Sequence, residues 1–314
     1  MVSQVEISLA CTICKLSSEI SCRNSTHCIE LTWTGGIKLK RFIPLGVVIF
    51  FVILMFTYGL STPFAKEETR APASITLAGS TSVQPFAELV VDEYMSEGHN
   101  IIINVQGGGS SAGGRAALSG VAEIGMLSRE LKGDEKTLVP TIIAYDAIAI
   151  IVHQSNPCDN LDIFEIKSIF AEEVTNWSEV GGRTHKIHVV AREEGSGTRG
   201  AFDGIVMGNT EVAPGAIIQD SNGAVREIVA GDPSAIGYIS LGLVDKRVKA
   251  VAISGVLPSI STVAERTYKL TRPMILATRE GPEKEVGDFI NFCLGEKAQG
   301  ILAQEGLVPV ISGK

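Results

Sequence analysis

The sequence has no run of like charge and no basic excess: 27 Lys and Arg stand against 35 Asp and Glu, a net charge of -8 in 314 residues. Broad electrostatic attachment to nucleic acid or to anionic lipid headgroups is therefore disfavoured. Aromatic residues are few, at 6%. Six cysteines are too few for a disulfide scaffold, and the 33 glycines follow no collagen-like period. Internal repeats, low-complexity tracts and long linkers are also missing. What remains is a chain long enough for about two domains at ~150 residues each, with a large core.

One long uncharged stretch stands out. Phe42 to Ala65 contains no charged residue and follows Lys38, Lys40 and Arg41. Its apolar part, residues 42–60, almost reaches the ~20 residues that span a bilayer and exceeds the ~7–15 of an ordinary signal-peptide core. The basic side before it and Glu67–Glu68 after it predict that the N-terminus stays inside and the rest of the chain is exported. Pro63-Phe64-Ala65 offers a small-residue cleavage site, so cleavage and retention as an anchor both remain open. A lipid-modified cysteine is excluded, because no Cys lies between Cys28 and Cys158.

Residues 1–37 carry four of the six cysteines, as Cys11-x-x-Cys14, Cys22 and His27-Cys28. Thiolates and an imidazole at short spacing suit tetrahedral zinc, but these spacings match no common zinc pattern. An extension that is removed, unstructured or untranslated is the plainer reading, and no metal or cofactor is expected. Without residues 1–65 the exported part has 22 basic and 32 acidic side chains, a net charge of -10.

From Ser74 onward short β-branched runs alternate with amphipathic stretches, the pattern of an α/β protein with mostly parallel sheets. Strands are predicted at 75–78, 101–105, 123–127, 144–152, 186–191, 216–219, 235–239 and 248–253. Helices are predicted at 85–96, 163–170, 196–207, 224–230 and 283–305. That number of elements suits two modest sheets better than one large one.

The chemistry lies where strands give way to helices. After the first strand come Gly79-Ser80-Thr81-Ser82-Val83-Gln84-Pro85, three hydroxyls ahead of a helix whose early Pro suits its first turn. Free N–H groups and hydroxyls at the positive end of a helix make an anion site, although a Ser or Thr there also serves as an ordinary N-cap. The second junction, Gln106 to Arg115, holds Ser110 and Ser111 among five glycines that let the backbone approach a ligand. It lacks the Lys-Ser/Thr ending of a P-loop.

The third junction is Arg192-Glu193-Glu194-Gly195-Ser196-Gly197-Thr198-Arg199-Gly200. It satisfies G-x-G-x-x-G with Asp220 downstream, so a dinucleotide site competes here. Export to a compartment poor in NAD, and the wealth of donors in the variable positions, argue against it. A fourth strand ends in Ser128-Arg129-Glu130, where Arg129 serves a ligand or pairs with a nearby acid. In open α/β sheets ligands bind outside the carboxyl ends of strands, and four such ends carry hydroxyl, Gly or Arg.

These segments, GSTSVQPF (79–86), QGGGSSAGG (106–114), IGMLSREL (124–131), AYDAIAIIV (144–152), REEGSGTRGAF (192–202) and AIGYISLG (235–242), resemble in their order the phosphate-binding component of the phosphate ABC transporter. The resemblance covers essentially all of residues 74–314. It implies a two-lobed periplasmic-binding-protein fold of type II, in which a hinge of two crossing segments closes an interlobe cleft on inorganic phosphate. Ligand would then pass to ABC-transporter permease subunits, from a monomeric, extracytoplasmic receptor that is not an enzyme.

Carried over by position, the resemblance puts Thr81, Ser110, Arg192, Ser196, Gly197 and Thr198 on the oxyanion, with Ser80, Ser82, Ser111, Ser128 and Arg129 beside them. Some family members have an Asp where this chain has Ser128. That Asp accepts the proton of hydrogen phosphate and repels sulfate, so Ser128 leaves the rejection of sulfate in question; Asp146, Glu193 and Glu194 are the candidates for a replacement carboxylate, with Asp146 favoured. The crossing segments are expected at 144–152 and 268–277, with one lobe from 74–152 and 266–314 and the other from 153–265. A receptor for sulfate, molybdate or tungstate is the nearer alternative. An exported phosphatase is the more remote one, since His153, His185 and His188 are scattered. Cys158 and Cys293, the only exported thiols, are expected in different lobes and unpaired.

Overall fold

The computed structural model describes residues 73–310, together with Gly46, Ile49 and Phe50 on a helix. Residues 1–37 and the rest of the segment 42–60 lie outside the described residues. Among those described, no helix is long and apolar enough to cross a membrane.

The first half of the fold opens with β1 (Ala73–Gly79), whose Ile75, Leu77 and Gly79 are buried on one face. Helix α1 (Gln84–Ser96) follows; Pro85 occupies its first turn, and Phe86, Ala87, Val90, Val91 and Tyr94 form its buried stripe. Next come β2 (Ile101–Gly107), α2 (Ser110–Ser119) and β3 (Ile124–Leu127). The long strand β4 (Val139–His153) leads out of this half.

The second half holds β5 (Asn160–Leu161) and α3 (Ile163–Phe170), the latter started by a reciprocal cap between Asp162 and Glu165. Strand β6 (His188–Arg192) precedes α4 (Gly197–Phe202), which continues as a π-helical turn through Met207. Strand β7 (Ile217–Gln219), α5 (Asn222–Gly231), β8 (Ala235–Ser240), β9 (Val248–Ala250), β10 (Ala252–Ile253) and α6 (Ile260–Ala264) complete it. The chain then returns through β11 (Thr271–Thr278) to α7 (Lys284–Cys293), α8 (Glu296–Gln304) and β12 (Val308–Pro309).

Two expectations are corrected here. The strands do not form two separate, mostly parallel sheets: β2-β1-β3-β11-β4-β8-β6-β7 is one mixed sheet of ten strands, with β9 and β12 also on β4, beside a two-stranded β5–β10 pair. The cause is β4, which pairs antiparallel with β11 over Val139–Ala147 and with β8 over Ile148–Val152, and so joins the two parallel groups. The expected single helix over 283–305 is broken at Leu294–Gly295, where α7 and α8 meet.

The cores follow from the period of two along buried strands. Along β4, Ala147, Ile148, Ile150 and Val152 enter a cluster with Phe170, Trp177, Phe202 and Tyr238, while Ala149 and Ile151 face Val225, Val229 and Ile239. Along β11, Met274 and Leu276 pack with Ile75, Phe86 and Phe289, while Ile275 and Ala277 face Ala117 and Leu127. Tyr268 and Leu270, just before β11, belong to the cluster of Trp177. Cys158 and Cys293 are free thiols, buried in different clusters.

Candidate functional site

Three strand ends of the first half and one of the second converge. Ser80 follows β1, Ser110 opens α2 after β2, Ser128 follows β3, and Arg192 ends β6 with α4 close behind. All four are buried.

A chain of hydroxyl contacts joins the first three. The Ser80 hydroxyl accepts from the backbone N–H of Ser82 at 3.2 Å and donates to Ser128 Oγ at 2.8 Å. Ser110 Oγ accepts from the Ser128 N–H at 3.1 Å and lies 3.4 Å from Ser128 Oγ. The second half meets this chain at α4. A Cβ at Gly197 would stand inside van der Waals contact with Ser110 Oγ and Ser128 Oγ, so only glycine allows the approach. Thr198 Oγ1 lies 2.8 Å from Ser82 Oγ, which also accepts from Asn222 Nδ2 at 2.8 Å. Gly109, at φ +85, lets the loop ahead of α2 come against the Gly195 carbonyl, which accepts from the Ser111 N–H at 3.1 Å.

Arg192 is the positive charge of the cluster. Its Nη2 donates to Thr81 Oγ1 at 3.1 Å and to the Asp220 carbonyl at 2.8 Å. Nε and Nη2 grip the Glu193 carboxylate at 3.1 and 3.0 Å. The side chain is 1% exposed, and Nη1 is buried without a hydrogen-bond partner among the described residues. Beneath it the Tyr238 hydroxyl accepts from the Arg192 N–H at 3.2 Å, and the Tyr238 ring stacks on Phe202 at 4.2 Å, which anchors the root of the guanidinium.

Ser80, Thr81, Ser82, Ser110, Ser128, Arg192, Gly197 and Thr198 are thus brought together. Ser196 is adjacent, but its hydroxyl caps α4 by accepting from the Arg199 N–H at 3.2 Å. Ser111 donates its N–H to the Gly195 carbonyl, and its hydroxyl accepts from Arg129 Nη2 at 3.1 Å.

Two expected residues are drawn elsewhere. Arg129 grips Glu135 bidentately at 2.7 and 2.9 Å. Burial works upward on the Glu135 carboxyl, yet Arg129 and the Lys132 N–H outweigh it and hold the group below its ordinary range. Asp146 is fully buried and accepts from Arg272 Nε and Nη2 at 3.0 and 2.9 Å, while its other oxygen accepts from the Leu241 N–H at 3.2 Å. Burial pushes this carboxyl up, against the pull of Arg272. Each acid has a guanidinium within reach and so cannot present a bare carboxylate to the cluster.

Asn222 is the buried polar residue that the sequence reading missed; an Asn behind the cap Ser221 looks like ordinary helix-start chemistry. Of the G-x-G-x-x-G competitor, Asp220 contributes its backbone carbonyl to Arg192. Among the described residues no three His, Cys, Asp or Glu side chains are placed to hold a metal ion. The arrangement gathers buried hydroxyls and one guanidinium, donors of the kind that satisfy a compact oxyanion.

Known proteins resemble this chain over most of its length. A model of the PBP superfamily domain matches residues 66–297. The phosphate-binding protein PstS of Bacillus subtilis is 32% identical over 256 residues, covering 80% of this chain and 85% of that protein. A crystal structure of a putative phosphate ABC transporter substrate-binding protein with bound phosphate, from Clostridium perfringens, is 42% identical, with a TM-score of 0.74 over 76% of this chain and 100% of that one. An ABC-type phosphate transport receptor from Vibrio cholerae is 36% identical, with a TM-score of 0.64 over 74% and 99%. Fold and site together define a ligand-binding protein of α/β periplasmic-binding type. Within that class, the chain belongs to the PBP superfamily and, there, to the family of PstS phosphate-binding proteins.

Proposed function

We propose that this protein captures inorganic phosphate outside the cytoplasm and hands it to ABC-transporter permease subunits. It acts as a monomeric receptor rather than an enzyme. The observation that carries this reading is the meeting of Ser80, Ser82, Ser110, Ser128 and Thr198 hydroxyls with Arg192, whose buried Nη1 has no partner among the described residues. The names of the relatives support phosphate as the guest and an ABC transporter as the destination.

The ligand sits between two lobes of a type II fold. One is built on the cores of Ile75 and Leu127, the other on those of Trp177 and Val225, and β4 with the segment entering β11 forms the hinge. The lobe limits proposed from sequence are 74–152 with 266–314, and 153–265. Thr81, Ser110 and Ser128 come from the first and Arg192, Gly197 and Thr198 from the second, so an anion touching both favours closure by its differential affinity. The segment 42–60 directs export and either anchors the chain or is removed.

An acidic surface does not oppose this. Charge-assisted hydrogen bonds in an enclosed site contribute about 1.5–3 kcal/mol each, and desolvation offsets much of their sum. Binding is micromolar or tighter with weak salt dependence. A second reading, sulfate or another tetrahedral oxyanion, is favoured by one observation: Glu193 and Asp146 are each held by an arginine, and Ser128 adds no charge. Calorimetric titration with phosphate and then sulfate separates the two; heat with sulfate alone refutes the phosphate assignment.

A further inference from the structure

We propose that Asn222 is a positioning residue that sets the direction of the hydroxyl hydrogens in the site, turning the Ser82–Thr198 pair into a donor toward the anion. The inference rests on the phosphate reading above.

The orientation of the amide is fixed by its neighbours. Asn222 opens α5 and is 1% exposed. Its Oδ1 accepts from the Ser240 backbone N–H at 3.2 Å, and because a backbone N–H can only donate, the nitrogen end must face Ser82. Nδ2 lies 2.8 Å from Ser82 Oγ and has no lone pair to offer, so Ser82 is the acceptor there.

Counting hydrogens then gives the function. Ser82 and Thr198 carry one hydroxyl hydrogen each, and a single 2.8 Å link between them uses one. Whichever hydroxyl donates across that link, the other hydrogen cannot turn toward Asn222 and is left to point out of the pair. Both hydroxyls are essentially inaccessible to solvent, so no bulk water competes for it. An acceptor at position 222 would reverse the outcome: Ser82 would donate to it, Thr198 would donate to Ser82, and no hydrogen would remain. Since Ser82 precedes α1 while Thr198 and Asn222 lie on α4 and α5, the same amide also ties the two halves together.

The test is isothermal titration of the protein with inorganic phosphate at about pH 8 and about pH 5, a range over which a buried carboxyl changes charge. Wild type, Asn222→Ala and Asn222→Asp are compared. Removing the amide should weaken binding about tenfold, the value of one hydrogen bond in a charged site. The carboxylate should weaken it about a hundredfold or more at the higher pH, because a charge repulsion is added to the lost donor. On acidification the gap between Asn222→Asp and wild type should narrow about tenfold or more, since a protonated carboxyl donates again. The charged groups around position 222, Arg192 on β6, Asp146 on β4, Arg272 on β11 and Asp220 beside α5, are common to both proteins and cancel in the ratio.

Equal weakening by Ala and Asp with no dependence on pH, or Asp within about threefold of wild type at the higher pH, would overturn the proposal. If Asn222→Asp does not fold, a cycle of Ser82→Ala with Asn222→Ala decides: losses that fall short of additivity by about fivefold or more support the link, and additive losses refute it. A wild-type protein without heat of phosphate binding refutes the functional reading itself, and this inference with it.

Discussion

Adding one methyl group at Gly197 should separate closure from folding. Its Cβ would press on Ser110 Oγ, on Ser128 Oγ and, at 3.0 Å, on Ser110 Cβ, all of them in the opposite half of the molecule. Ser110 cannot simply swing aside, because its hydroxyl accepts from the Ser128 N–H. The backbone of Gly197 is not among the positive-φ positions, so alanine is locally allowed at the first residue of α4, where it is the better helix former by up to about 1 kcal/mol. Overpacking of this kind costs about 1–3 kcal/mol. The cost applies only while the halves are together, so Gly197→Ala should bind phosphate about 5- to 150-fold more weakly. Its melting temperature without phosphate should equal or exceed that of wild type. Calorimetric titration and scanning calorimetry on the same samples measure the two effects. Wild-type affinity, or a loss of affinity matched by an equal loss of unliganded stability, would refute the argument.

Arg192→Met should weaken phosphate binding by about 2–5 kcal/mol, because it removes the guanidinium of the cluster whose buried Nη1 has no partner among the described residues and leaves the Glu193 carboxylate without its arginine; isothermal titration checks this, and a change of less than about threefold contradicts it. The Glu135 carboxyl is held below the ordinary 4.5, so its pairing with Arg129 stabilises the fold above that pH and ceases to do so as pH falls through the lowered value. Urea denaturation of wild type and Glu135→Gln should therefore show a stability gap at neutral pH that closes in acid, with phosphate affinity at neutral pH nearly unchanged. Burial pushes the Cys293 thiol up to about 12 and raises Cys158 as well, so peptide mapping after brief alkylation of the native protein should find both unmodified, and after unfolding both labelled.

Much of the site could be read from residue types at strand ends, because Gly next to Ser or Thr there suits close backbone approach and hydrogen-bond donation as well as helix capping. Ser80, Thr81, Ser110, Ser128 and the Arg192–Thr198 segment were legible for that reason. The partners that hold Arg129 and Asp146 carry no local signal: Glu135 sits in a charged, surface-like stretch, and Arg272 lies 126 residues from Asp146. Asn222 was hidden by its place beside a capping serine. In the fold, short apolar runs marked most strands but not β5, β11 or β12, and the joining of two groups into one sheet depends on β11 and on β4 continuing for 15 residues, from Val139, with an exposed, Pro-containing start that looks unlike a strand. Period and composition report faces to be buried; they do not report which half a partner will come from.

The central claim is that one small oxyanion satisfies the donors of both halves at once. Titrating the protein calorimetrically with inorganic phosphate, with sulfate as competitor, tests it most directly. One phosphate per chain with a dissociation constant of micromolar or below is the predicted result. Absence of heat with phosphate, under conditions where the protein is folded, would contradict it.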